Sequence, residues 1–295
     1  MSGLRAAFLR EDGALRAGWW VLLGLGALRG APFLVFPLLG GLLRPPSESI
    51  LPWEGLELLG ILVATAFCLA LRREGPASLG FRLDGRWARE AALGFLGGLL
   101  LMGAGALLLR ALGGFHWTLR PGAGAWAMAS GFLLYLLAAL GEELTFRGFV
   151  FQRLLEGLGT TGALLLGGLW FAWAHWENPG MDDPVQRAWA LLNIALAGVF
   201  LALAYLRTRS LALPVGLHLG WNWMQGSVLG FAVSGTTDYL GPWQVVVNPA
   251  RASWFHGGSF GLEASVFGTG ACLVAIVALG FWKGVSADAS TDGAR

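Results

Sequence analysis

The chain has 295 residues, of which 56% are hydrophobic and 13% charged, with a formal net charge of +2 and a mean hydropathy of +0.62. A water-soluble domain carries about 25% charged residues, so this chain has too little polar surface to coat a particle of its size, and part of its solvent is lipid. No run of Lys and Arg is long enough to neutralise a row of phosphates, which argues against a nucleic-acid partner.

Eight apolar stretches approach the roughly 20 residues a helix needs to cross a hydrocarbon core: 17–41, 54–71, 90–112, 126–152, 160–176, 188–206, 211–231 and 262–282. They predict an all-α, polytopic transmembrane helical bundle of about eight spans, a single membrane-embedded domain over 1–284. The first stretch contains Arg29, Pro32 and Pro37 and is expected to be kinked or broken. Arg29 is expected to find an interhelical partner or to cap the break. The Gly26–Gly30 and Gly94–Gly98 pairs, at four-residue spacing, predict close helix packing. Cys68 and Cys272 lie singly in apolar runs, which suits small buried residues rather than a disulfide or a cysteine zinc site. The N-terminal region runs into its apolar stretch without a small-residue cleavage site, so no cleavable signal peptide is expected.

The one long connection, 232–261, carries Tyr239, Trp243, Trp254 and Phe255, aromatics that suit the headgroup layer on the outer surface. His116 and His256 fall in outer loops and read as ordinary interface residues. The small polar tail, 285–295, is expected to be disordered. Of the twenty basic residues, fourteen flank one set of span ends: Arg5, Arg10, Arg16, Arg72, Arg73, Arg82, Arg86, Arg89, Arg147, Arg153, Arg207, Arg209, Lys283 and Arg295. Five flank the other: Arg44, Arg110, Arg120, Arg187 and Arg251. The positive-inside bias therefore predicts both termini in the cytoplasm and an even number of spans.

Ionisable groups at membrane depth are costly and usually functional. In the fourth stretch Glu142 and Glu143 are adjacent and Arg147 follows. Glu143 and Arg147, four apart, share a helix face and can pair. Glu142 lies roughly 100° around the helix and points elsewhere, without that cation, as a carboxylate working as a general base does. The fifth stretch ends on Phe171-Ala172-Trp173-Ala174-His175. In the seventh, His218 and Asn222 are one turn apart, an imidazole and a carboxamide able to hold a water, a metal or a developing oxyanion. At about 1.5 Å per residue, Glu142, His175 and His218 lie about 15, 22 and 10 Å from the cytoplasmic ends of their stretches, similar but unequal depths.

These three motifs, in this order on separate apolar segments, resemble the EExxxR, FxxxH and HxxxN signature of the CAAX-processing endopeptidases and bacteriocin-processing or immunity proteins (the CPBP family). Phe146-Arg147-Gly148 after the glutamates and Leu213-Pro214 before His218 extend the resemblance, which covers about residues 126–231. It implies a cavity between helices 4, 5 and 7, open to the cytoplasm, and an intramembrane endopeptidase in the cytoplasmic membrane acting on a membrane-associated protein or peptide. It also implies roles: Glu142 as general base, His175 holding the attacking water, His218 and Asn222 stabilising the oxyanion, and Glu143–Arg147 as a structural pair. A zinc ion on Glu142, His175 and His218 is left open beside activation of water without metal. Two other readings remain: a non-catalytic immunity factor or scaffold of the same fold, and a transporter, for which no internal repeat is visible. Substrate identity and oligomeric state are not written in the sequence.

Overall fold

The computed structural model describes residues 7–41, 50–122, 124–238 and 241–283. Within them run α1 (Ala17–Val35), α2 (Ile50–Arg72), α3 (Gly85–Ala111), α4 (Ala125–Phe146), α5 (Phe149–Ala174), α6 (Pro184–Thr208), α7 (Ala212–Trp223) and α9 (Val266–Phe281), with one-turn α8 (Ser253–His256) between α7 and α9. The segments Ala17–Gly40, Ile50–Arg72, Gly85–Ala111, Ala125–Ala174 and Pro184–Thr208 are long and apolar enough to cross a membrane, and Val266–Phe281 is shorter but apolar. Phe33, Leu100, Leu107, Leu169 and Phe281 point outward. An apolar exterior of this kind is the surface of a membrane protein, and the all-α bundle agrees with the sequence reading.

Helix α1 loosens after Pro32 into a π-helical turn, Phe36–Gly40. Proline removes one rung of the hydrogen-bond ladder, and the expected break is present. Arg29 is different: it is exposed and takes part in no ion pair among the described residues, because it projects from the outward face of α1. Nor do Gly26 and Gly30 mediate packing, since a Cβ at either would meet open space.

Gly94 and Gly98 do pack. A Cβ on either would strike α7 backbone at Leu213, Leu217 and Trp221, and one on Gly216 or Gly220 of α7 would strike Ala91 or Phe95 of α3. Small residues on both helices let the backbones meet. This makes α3–α7 the most extensive helix contact among the described residues. It wedges α7, an almost wholly buried helix, into the centre of the bundle.

The expected fourth span, 126–152, ends early. Helix α4 stops at Phe146, Arg147 caps it, and the chain turns at Gly148, where a Cβ would collide with the Leu144 carbonyl. Helix α5 then bends at Gly159, with φ 68° and ψ −176°, a conformation that only glycine adopts readily. The limb before the bend carries Arg153 and Glu156, 2.9 Å apart. With Arg72 and Glu74, 2.6 Å apart at the end of α2, they form one charged cluster. The limb after Gly159 carries the FxxxH motif.

The connection between α7 and α9 is not a simple surface loop. Its strand β2 (Trp243–Val247) pairs antiparallel with β1 (Phe115–Leu119), Phe115 opposite Val247 and Leu119 opposite Trp243. Trp243 and Trp254 stay exposed, as expected of interfacial aromatics, but Phe260 is fully buried and its carbonyl accepts from Gly235 N at 2.9 Å. The loop thus folds back into the bundle, because the apolar Phe260 and Leu262 are drawn to its core. His116 is exposed on β1. His256 is buried rather than interfacial: Nε2 donates to Arg251 O at 3.3 Å, and Nδ1 accepts from Gly258 N at 3.1 Å. Its burial lowers the imidazole pKa below the ordinary value. Both cysteines are free and buried. Tyr239 and the expected disordered tail, 285–295, lie outside the described residues.

Candidate active site

The last turn of α4 delivers two carboxylates in different directions. Glu143 is fully buried, and its Oε1 accepts from Arg147 Nη1 at 2.9 Å. The same oxygen accepts from His218 Nδ1, also at 2.9 Å. Arg147 donates from Nη2 to Gly198 O of α6 at 2.9 Å and lies 4.6 Å from the centre of the Phe171 ring on α5. One buried ion pair therefore joins α4, α5, α6 and α7. Its role is wider than the i,i+4 pairing read from sequence, since Glu143 also orients a histidine from α7.

His175 caps the C-terminal end of α5. Its Nδ1 donates to Phe171 O at 2.8 Å, which leaves Nε2 as the free ring nitrogen. His218 is held in the same sense, with Nδ1 toward Glu143. Both free Nε2 atoms face Glu142. Its Oε2 is 3.9 Å from His175 Nε2 and 3.8 Å from His218 Nε2, and that oxygen is buried without a hydrogen-bond partner. A buried, unsatisfied carboxylate oxygen is costly unless a further donor sits beside it, and the spacing to the two nitrogens admits a bridging water.

The unequal depths read from sequence are reconciled by the early end of α4. Glu142 lies only about 6 Å before the end of its helix at 1.5 Å per residue. The limb of α5 after Gly159 returns His175 to that level.

Asn222 is buried one turn beyond His218. With His175 and His218 it lines a small, partly open cavity. Asn193, Ser234 and Glu263 also line it. Ser234 comes from the connection that sequence reasoning placed outside and Glu263 from the start of the last apolar stretch, 262–282, and neither was singled out. Glu263 could have been noticed as an acidic residue at the rim of the last apolar stretch. Glu54 and Glu57 of α2, also passed over, lie close enough to Glu142 for their charges to interact.

Two imidazole nitrogens and a carboxylate are donors that zinc accepts. However, no three His, Cys, Asp or Glu side chains among the described residues are grouped as a metal-holding set. A tetrahedral zinc with ligand bonds near 2.0–2.1 Å needs its ligand atoms closer together than the distances above. The residues as placed do not fit a metal, and no step below runs through one.

Residues 124–224 match the family model Rce1-like, described as type II CAAX prenyl endopeptidase. The Rce1-like segment spans α4 to α7. It contains all seven motif residues, Glu142, Glu143, Arg147, Phe171, His175, His218 and Asn222, and agrees with the family resemblance carried by the motifs. Ser234 and Glu263 lie beyond it. No curated protein and no solved structure matches the chain.

Proposed function

We propose that the protein is an intramembrane endopeptidase in which Glu142 and His175 activate water without a metal. One observation carries this reading: the partnerless Oε2 of Glu142 faces the free Nε2 atoms of two histidines whose other nitrogens are already engaged. A water between them donates one proton toward His175 Nε2 and the other to Glu142. Its oxygen attacks the peptide carbonyl carbon as Glu142 takes the proton. The C–N bond then breaks and Glu142 returns that proton to the departing amine, so the sum is peptide plus water giving acid plus amine. Asn222 and His218 stabilise the oxyanion. With Nδ1–H given to Glu143, His218 donates from Nε2 only as the cation, and Glu143 supplies its counter-charge.

The Rce1-like match supports an endopeptidase over a scaffold or a transporter. The basic bias of the span ends supports a site reached from the cytoplasm, in the cytoplasmic membrane, by a membrane-associated peptide.

The test is cleavage of a membrane-peptide library by the purified, folded protein in detergent. A general base is worth about 10²–10⁴-fold and an oxyanion donor about 10²–10³-fold. His175→Ala should abolish measurable cleavage, and Asn222→Ala should leave a residue of activity because His218 remains. The Glu142/His175 double variant should be little worse than either single one, since the two act as a unit. Chelation should leave the rate unchanged. Loss on chelation, restored by zinc, would overturn the metal-free mechanism.

A further inference from the structure

The cavity beside the catalytic histidines is lined by His175, His218 and Asn222, by the apolar Ile194, Ala197, Phe200 and Leu201 of α6, and by a single carboxylate, Glu263. Its donors are all neutral: Ser234 N, Ser234 Oγ at 3.1 Å and the Gln225 side chain. None of the ion pairs among the described residues involves Glu263. Every other wall residue except the two histidines is uncharged.

We propose that this chamber is a specificity pocket for a basic side chain, lysine or arginine, adjacent to the scissile bond, with Glu263 as the residue that reads its charge. The proposal rests on the endopeptidase reading and names its substrate class. An aliphatic stem covers the α6 wall while the ammonium or guanidinium reaches the carboxylate, which is how long basic side chains divide their apolar and charged parts. Inside a low-dielectric chamber a charge-assisted hydrogen bond gains strength, and a neutral side chain of the same length leaves the carboxylate without its counter-ion. Glu263 is tied to the fold on both sides: Asn193 Nδ2 donates to its backbone carbonyl at 2.7 Å, and Ser234 fixes its carboxylate. The carboxyl group is therefore held in place before substrate arrives.

The test compares two small probes of matched shape, butylguanidinium and butylurea, binding to the full-length protein in detergent, read by calorimetry. Butylguanidinium should bind at least tenfold tighter than butylurea to the unmodified protein and to Glu142→Gln. Glu263→Gln, which keeps the hydrogen-bonding shape, should lose that preference. Ala197→Leu, which fills the chamber from α6, should weaken both probes and serves if Glu263→Gln does not fold. Equal binding of the two probes, a preference that survives Glu263→Gln, or undiminished binding to Ala197→Leu would overturn the pocket. The two readings separate cleanly. Cleavage without basic preference sinks the pocket alone, and charge-selective binding without any cleavage sinks the endopeptidase alone.

Discussion

Glu142 and Glu143 are chemically identical neighbours placed in opposite circumstances. Each keeps a buried Oε2 without a partner, but Glu143 has its Oε1 shared between Arg147 and His218, whereas no hydrogen bond among the described residues engages Glu142. Their substitutions should diverge accordingly. Arg147→Ala leaves a buried carboxylate short of its cation and strips a donor from Gly198 O, so it should destabilise the protein by about 3–5 kcal/mol. Glu142→Gln removes no hydrogen bond and should leave the melting temperature in detergent nearly unchanged. The reverse ranking in thermal melts would show that the two glutamates have been given each other's roles. This division was legible in sequence because four-residue spacing fixes which glutamate faces the arginine. The contact from Glu143 to His218 was not, since it joins positions 75 residues apart and only the packing of α7 against α4 creates it.

At the scale of elements, the site depends on how closely α7 approaches α3. Gly216 has Ala91 backbone where a side chain would begin, so Gly216→Ala should cost about 1–3 kcal/mol as overpacking. Gly26→Ala, facing open space, should be neutral or slightly stabilising, as alanine is the better helix former. Equal thermal shifts for the two variants would contradict the glycine contact. Sequence spacing treated Gly26–Gly30 and Gly94–Gly98 alike. Only the structure separates them, because a GxxxG pattern states that close approach is allowed and not whether a partner arrives. The break at Arg147–Gly148 was likewise hidden by an apolar run that continues through Phe149, Val150 and Phe151. Glu263 was missed for a different reason: it sits at the start of the apolar stretch 262–282, and only the fold places it on the cavity wall.

For the whole molecule, the apolar exterior and long helices follow directly from composition, and the convergence of three polar motifs follows from the expense of charge at membrane depth. Orientation is the part of the proposal that the basic residues carry. A cysteine engineered into 285–295 should resist a membrane-impermeant label added outside sealed cells and react once the membrane is opened. Background from the buried Cys68 and Cys272 should be low. Efficient labelling from outside would reverse the topology and place the cavity on the other face.

The central claim is that Glu142 takes the proton from the attacking water. Its most direct test is the cleavage rate of Glu142→Gln in protein whose melting temperature matches the unmodified chain. The rate should fall by about 10²–10⁴-fold or more, with Glu143 still bonded to Arg147 and His218. Cleavage of the same peptide at the unmodified rate by that folded variant would contradict it.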